Sequence, residues 1–510
     1  MADETRHRRA PRFRELADFQ IDPAAAALLP LDYCIEKGIA ILGKVPSDPR
    51  SALTAGMIRA DDRELLADLA ARLGCPVEPV QLNAYEVRHA IARLYGIALP
   101  DEGGELLLLD AGREISFAPG QAPAAMLDDL LAVAVRRRAT DIHVETYHAD
   151  VDVRFRIDGV LRQMASPLSP DNVARVVSRL KVLCGMDLAE RRRAQDGRIG
   201  ALFREEAGQR RVEFRVSVVP GPYGQDAVLR VLDPRRFLLD LEALEMGPEL
   251  LPRFTRLIRR PHGLLLSCGP TNSGKTTTLY ASVQALRERG LKIVTAEDPV
   301  EYEFPKVNQK TVTPQMGFAD YLRAFLRQNP DVILVGEIRD PDTAETAIRA
   351  ATTGHLVLST VHTVDAVGAV GRLRVLGVPD DYISEVLAGS LGQRLLRRLC
   401  ADCKAEAAPA PDLVASYYAA PPAARFFRGA GCERCEGTGY RGLVGVYELL
   451  APDERLSSAI AAGKPVDELR RLARERGFFP LVQDALRKAE RGLTSLEEVA
   501  RRIAPPASGG

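Results

Sequence analysis

The sequence predicts an α/β protein in which a helix-covered parallel sheet follows a smaller α+β domain. Three observations lead there. From about Leu244 onward, apolar runs without polar alternation (Leu264-Leu265-Leu266, Ile293-Val294, 332–335, Leu356-Val357-Leu358) are separated by helical segments. Strands of that kind are buried on both faces, as in a parallel sheet with helices on each side. Between Ala125 and that point the strands alternate instead: Val151, Val153, Phe155 and Ile157 are interleaved with Asp152, Arg154, Arg156 and Asp158. That is the pattern of a half-buried strand. Finally, a glycine-containing turn at 269–276 stands between an apolar strand and a helix.

Taken in order, residues 1–98 carry short helical patterns, at 61–73 (Leu65, Leu66, Leu69, Leu73) and 85–95, between Pro and Gly breaks. They are expected to form a small independent domain without chemistry of its own, and so a partner-docking module. Residues 99–124, with Pro100, Gly103, Gly104, Pro119, Gly120 and Pro123, are expected to be a linker around one short strand. The α+β domain is assigned to 125–243. A helix through Leu127, Leu130, Leu131 and Val135 opens it. An Asp158-Gly159 hairpin turn closes the first alternating strand. A second helix follows, through Val173, Val176, Val177, Leu180 and Leu183, with Gly185 as its cap. The parallel-sheet domain is assigned to 244–505 and ends in small amphipathic helices over 456–503.

Composition narrows the class. The 510 residues correspond to about three or four domains. No apolar run approaches the roughly 20 residues needed to span a bilayer. Arg6, His7, Arg8 and Arg9 are not followed by an apolar core, so no secretory signal is expected and the chain is expected in the cytoplasm. The 69 basic and 69 acidic residues cancel, which argues against a dedicated nucleic-acid binder.

The segment Gly269-Pro270-Thr271-Asn272-Ser273-Gly274-Lys275-Thr276 matches G-x-x-x-x-G-K-[ST] in the required strand-to-helix context. Backbone N–H groups of such a loop converge on phosphate oxygens, and the following helix N-terminus adds a favourable field. Lys275 is expected to reach the β and γ phosphates of ATP and Thr276 to hold Mg2+. Two acidic sites follow. The strand 332–335 leads through Gly336, where many such enzymes carry a first acid, to Glu337, the expected catalytic carboxylate. Glu297, with Asp298, ends the strand before it and is the second candidate. His355 and His362 bracket the strand 356–360, and both are expected to sense the γ phosphate. Cys400-x-x-Cys403 and Cys432-x-x-Cys435 are two knuckles whose four thiolates suit tetrahedral Zn2+. The loop between them is longer than the ~15–20 residues usual for such sites. Gly431, Gly437 and Gly439 would supply tight turns. Four cysteine ligands close the coordination sphere, so the metal is expected to be structural.

These segments together resemble the secretion ATPase family: type II secretion ATPases, type IV pilus assembly and retraction ATPases, and their conjugation relatives. The chain has the family's Walker A (269–276), its aspartate box Glu297-Asp298-Pro299-Val300-Glu301-Tyr302, its Walker B around Gly336-Glu337-Ile338-Arg339-Asp340, and its histidine box from Thr353-Gly354-His355 to His362-Thr363. Upstream, Thr140-Asp141-Ile142-His143-Val144-Glu145 and Arg156-Ile157-Asp158-Gly159 match as well. Asn272, Asn329 and Val364 depart from the family's usual Gly, Asp and Asn, and none of these changes removes a phosphate or metal ligand. The resemblance implies a RecA-like P-loop core, a preceding PAS-like α+β domain, a tetracysteine zinc element at 396–440, and a homo-hexamer working on an inner-membrane platform protein. It also implies arginines that approach the phosphates, carried onto Arg215, Arg230, Arg323 and Arg327. Arg230 stands inside an apolar strand, where an unpaired charge would be costly, and Arg215 lies on the polar side of its strand. An anionic partner explains both.

Length and N-terminal pattern favour type II secretion over type IV pilus assembly. The cysteine element argues against a retraction ATPase. The N-terminus lacks clear tandem Arg-Leu-Gly repeats, so no cyclic dinucleotide ligand is expected. A zinc-containing nucleic-acid-binding NTPase is disfavoured by the neutral charge and the absence of Trp. A nucleotide-gated scaffold without turnover is disfavoured by Glu337.

Overall fold

The computed structural model describes residues 19, 21–42, 48, 50–82, 84–95, 107–110, 121–205, 208–236, 239–420 and 422–505. The chain divides into two compact units, Met1–Asp233 and Pro234–Gly510.

Among its described residues the first unit holds two sheets. Helix α1 (Leu31–Lys37) leads into β1 (Ile39–Leu42), β2 (Leu53–Met57), α2 (Arg63–Leu73), β3 (Val77–Gln81) and α3 (Ala84–Tyr95), and the three strands form a sheet in the order β1-β2-β3. Helix α2 starts where Asp62 accepts a hydrogen bond from the Leu65 N–H. It ends at Gly74 in the left-handed conformation, and Leu65 and Leu69 are its buried residues. Of the expected linker, 99–106 and 111–120 lie outside the described residues. Its strand, β4 (Leu107–Asp110), pairs in parallel with a strand nearly a hundred residues later and so belongs to the next sheet.

That sheet contains β4, then β5 (Ala139–Thr146), β6 (Val151–Ile157), β7 (Val160–Gln163), β8 (Gln195–Glu205), β9 (Gly208–Gly221) and β10 (Gly224–Leu232), in the order β4-β8-β9-β10-β5-β6-β7. Helices α4 (Pro123–Arg136) and α5 (Val173–Cys184) pack on its apolar face. Burial along β6 alternates strictly, as its sequence requires. The β6–β7 turn places Asp158 and Gly159 at positive φ, the conformation that a two-residue hairpin of this handedness demands.

The second unit is built on a seven-stranded sheet. Its elements are α6 (Leu250–Ile258), β11 (Gly263–Cys268), α7 (Lys275–Arg287), β12 (Ile293–Glu297), β13 (Asn308–Thr311), α8 (Phe318–Phe325), β14 (Val332–Val335), α9 (Pro341–Thr352), β15 (Leu356–Val361), α10 (Gly368–Val375), α11 (Asp380–Val386) and β16 (Leu387–Leu399). After β16 come β17 (Lys404–Glu406), α12 (Pro411–Tyr417), β18 (Phe427–Gly429) and β19 (Tyr440–Leu450). Helices α13 (Glu454–Ala461), α14 (Val466–Glu475), α15 (Leu481–Glu490) and α16 (Leu496–Arg502) end the fold. The strand order is β13-β12-β14-β15-β11-β16-β19, with only the β16–β19 pair antiparallel. Strands β11, β12, β14 and β15 are buried along their whole length. Separate apolar clusters cover the two faces, one built with α8 and α9 and the other with α6 and α7.

Candidate nucleotide and metal sites

In a parallel sheet every strand points its C-terminal end the same way, and ligands gather at that edge. The phosphate loop leaves the C-terminal end of β11 and enters α7. Gly269 has φ 152°, and a Cβ there would stand 2.5 Å from Ser273 Oγ and 2.7 Å from the Gln393 carbonyl, so no larger residue fits. Asn272 has φ 61°, a left-handed position that Asn tolerates better than most residues. This is how the chain keeps the loop without a glycine there. The Lys275 ammonium donates to the carbonyls of Gly269 (2.8 Å) and Pro270 (2.9 Å). Burial pushes its pKa below the ordinary lysine value. Ser273 Oγ is buried with no hydrogen-bond partner among the described residues. An orphaned hydroxyl inside a loop of backbone donors fits a phosphate oxygen. Thr276 is exposed at the start of α7, free to meet a hydrated Mg2+.

Glu337 is aimed from the neighbouring strand end. The Gly336 N–H bonds to the Ala296 carbonyl (2.8 Å), the Ile338 N–H to the Thr360 carbonyl (3.0 Å), and Thr360 Oγ1 to the Gly336 carbonyl (2.9 Å). The segment is thus pinned between β12 and β15. The Glu337 carboxylate meets Arg339 at 3.1 Å and His362 Nε2 at 3.5 Å. Burial, and then the Lys275 charge, hold His362 below the usual histidine pKa, while Glu337 pulls the other way. Arg339 also reaches Asp298 at 3.2 Å and so joins two of the sequence boxes. Asp340, in the same motif, caps α9 by accepting from the Thr343 N–H at 2.8 Å.

Glu297 is 4% exposed and engaged on all sides. It accepts from Tyr280 Oη, from Thr295 Oγ1 (2.5 Å) and from Gln309 Nε2 (3.1 Å). Three internal donors leave it less free than Glu337 to handle a water.

The expectation that both histidines attend the phosphates is corrected for His355. It precedes β15, at the end paired with Gly263, whereas Cys268 pairs with Val361 at the other end, beside His362. A six-residue strand separates the two edges by roughly 17–20 Å. His355 Nδ1 lies instead 2.9 Å from the Ala350 carbonyl at the C-terminal turn of α9.

Arg323 and Arg327 are not brought to the loop of their own chain. Arg323 pairs with Asp320 at 3.1 Å, and Arg327 Nη1 donates to the Arg323 carbonyl at 3.0 Å. They stand where α8 leads toward the N-terminal end of β14. Next to them, the Gln328 carbonyl accepts from Lys292, the residue before β12.

In the first unit, Arg215 and Arg230 are direct cross-strand partners on β9 and β10. The premise for Arg230 is also corrected. Its strand alternates, its side chain is 58% exposed, and it lies 3.5 Å from Asp141. It is therefore neither buried nor unpaired.

The two cysteine knuckles converge although corresponding cysteines are 32 residues apart in the chain. Cys400 and Cys432 sulfurs are 3.8 Å apart, Cys403 and Cys435 3.8 Å, and Cys432 and Cys435 3.7 Å. A tetrahedron with Zn–S bonds of about 2.3 Å has edges of about 3.8 Å, so the donor set fits zinc. N–H groups of Cys432 and Gly439 both point at Cys435 Sγ at 3.2 Å, as expected around a thiolate. Gly431 sits at φ 91° with the Gly437 carbonyl 2.6 Å from where a Cβ would stand.

Sequence reasoning missed Gln393, Arg394 and Glu448. Gln393 Nε2 donates to the Ser273 carbonyl (2.8 Å), Arg394 Nη2 to the Val364 carbonyl (2.7 Å), and Glu448 accepts from the Ala366 N–H (2.7 Å) and the Leu481 N–H (2.8 Å). The one local signal was a polar residue inside an apolar strand.

Residues 120–501 match the family model for type II/IV secretion system protein, and residues 10–101 match the MshEN domain. The chain is 37% identical to type II secretion system protein E of Aeromonas hydrophila, over 95% of this chain and 99% of that one. It is 39% identical to the type IV pilus assembly ATPase PilB of Thermus thermophilus, over 94% of this chain but only 55% of that relative, about half its length. Among solved structures, the pilus retraction motor PilT with bound ADP aligns with a TM-score of 0.50 and 28% identity, covering 73% of this chain and 95% of that one. With the phosphate loop, the Glu337–His362 pair and the sheet order all in place, the chain belongs to the type II/IV secretion system protein family.

Proposed function

We propose that this protein hydrolyses ATP to power protein export and pseudopilus assembly by a type II secretion system. The observation that carries the reading is the Glu337–His362 pair at the sheet edge that also holds the phosphate loop. Loop N–H groups and Lys275 take the β and γ phosphates, the ammonium exchanging two backbone carbonyls for phosphate oxygens. Thr276 would hold Mg2+, which would supply positive charge at the phosphates. Glu337 accepts a proton from the attacking water; the water oxygen bonds to the γ phosphorus as the bond to the β-γ bridging oxygen breaks and ADP leaves. His362 contacts the γ phosphate, and Glu297 supports the aspartate box from its buried network. Arg215 and Arg230 add positive charge from the first unit. Arg323 and Arg327, exposed and remote from their own loop, serve the nucleotide of a neighbouring copy in a homo-hexamer.

Zinc on Cys400, Cys403, Cys432 and Cys435 is structural. The chain works in the cytoplasm, held at the inner membrane by a platform protein that docks on the N-terminal 98 residues. No described helix is long and apolar enough to cross a membrane.

The second reading is a type IV pilus assembly ATPase, favoured by the PilB relative. Capture by the cytoplasmic domain of a type II secretion platform protein, against that of a pilus platform protein, decides between them. Type II capture that is lost when residues 1–98 are removed supports the reading; capture by the pilus protein alone reassigns the machine.

A further inference from the structure

Gln393 and Arg394 are consecutive residues of β16, and neither belongs to a phosphate motif. Consecutive side chains of a strand point to opposite faces, so this pair can reach two different loops. Gln393 is 1% exposed. Its Oε1 accepts from Ser267 Oγ at 3.0 Å, and its Nε2 donates to the Ser273 carbonyl at 2.8 Å. Its own carbonyl blocks the Cβ position of Gly269. One residue therefore touches both ends of the phosphate loop. For the loop's N–H groups to face a phosphate, its carbonyls must turn away, and a buried carbonyl then needs a donor. At Ser273 that donor is Gln393.

Arg394 acts on the other loop. Its Nη2 donates to the Val364 carbonyl at 2.7 Å while its Nη1 donates to the Gln393 carbonyl at 3.0 Å. Val364 follows His362 by two residues, and His362 faces Glu337. A planar guanidinium can hold two carbonyls in fixed relation; a lysine ammonium lacks that fork.

We infer that Gln393 and Arg394 are positioning residues for ATP hydrolysis, with divided tasks. Gln393 shapes the loop that grips the phosphates, and Arg394 sets the segment that brings His362 against Glu337. The inference rests on the ATPase reading above. Its signature is a split between KM and kcat that a merely structural role does not produce.

The test is steady-state ATP hydrolysis by the full chain over a range of ATP concentrations, with thermal unfolding of every variant. Gln393→Met keeps the volume and loses both hydrogen bonds. It should raise KM for ATP roughly tenfold with kcat nearly kept, the loss of the one buried hydrogen bond to the loop itself, at the Ser273 carbonyl, being of that order. Gln393→Asn, one methylene short, should give a smaller rise and serves if the Met variant fails to fold. Arg394→Gln should lower kcat roughly tenfold with KM nearly kept, and Arg394→Lys should not restore it. Lys275→Ala is the reference. If it is inactive while folded Gln393 and Arg394 variants keep both constants, or lose both in step with their unfolding temperature, the positioning roles are wrong and the ATPase reading stands. If Lys275→Ala turns over like the parent, the ATPase reading itself falls.

Discussion

The two seven-stranded sheets of this molecule are alike in size and opposite in chemistry. The sheet of the first unit is antiparallel apart from the β4–β8 pair, covered by helices on one face, and lined with charge on the other. There a charged residue costs little: Arg198, Arg215 and Arg230 stand in register across β8, β9 and β10, and Arg230 keeps most of its surface in water. The sheet of the second unit is covered on both faces, and its polar residues must be satisfied inside. Ser267, Glu297, Gln393 and Glu448 are all buried and all hydrogen-bonded. The contrast teaches that a charged side chain can be exchanged at little cost to the fold in the first sheet, whereas a buried polar one in the second cannot.

That contrast can be broken by substitution. The largest effect is expected from Glu337→Gln, at an open strand end of the second sheet. It should lower ATP turnover by about 10²–10⁴-fold while ATP binding persists; turnover near that of the parent would remove Glu337 from catalysis. Next comes the cysteine cluster. Metal analysis should find zinc, and Cys432→Ser or prolonged chelation should lower the unfolding temperature, because a structural metal contributes directly to folding. An unchanged melting curve after proven metal loss would make the site incidental.

Glu297→Ala strands the donors of Tyr280, Thr295 and Gln309 in the interior. It should cost roughly 2–4 kcal/mol in chemical denaturation, and activity should fall with stability. The smallest stability effect belongs to the first sheet. Arg230→Gln should change stability by less than about 0.5 kcal/mol, as surface substitutions do, yet reduce turnover. If Arg230→Gln destabilised as much as Glu297→Ala, the two sheets would not differ in the way proposed.

Much of this architecture was legible in the chain. Alternation in 151–157 and its loss in 264–266 and 332–335 told the two sheets apart, because side-chain direction follows the strand period. The phosphate loop and the two cysteine knuckles were legible because each is contiguous and its spacing is its geometry. One short strand was expected within 99–124, and the structure places it at Leu107–Asp110; its partner β8 was not foreseen, since pairing across that distance leaves no local trace.

What only the tertiary structure decided concerns direction and neighbourhood. Strand polarity separates His362, at the ligand edge, from His355 at the far edge, although both flank one strand in sequence. Arg230 looked buried until the register of β10 placed it on the outward face beside Asp141. Gln393 reaches Ser273 from 120 residues away, and Glu448 reaches Ala366 from 82. By itself the sequence determined the alternating strand at 151–157, the buried strands at 264–266, 332–335 and 356–358, the helix at 61–73, the phosphate loop and the spacing of the cysteine knuckles, since those depend on neighbours a few residues apart. Which side chains brace that loop depends on how strands line up after the core has closed, and that is settled by burial and long-range pairing rather than by any local pattern.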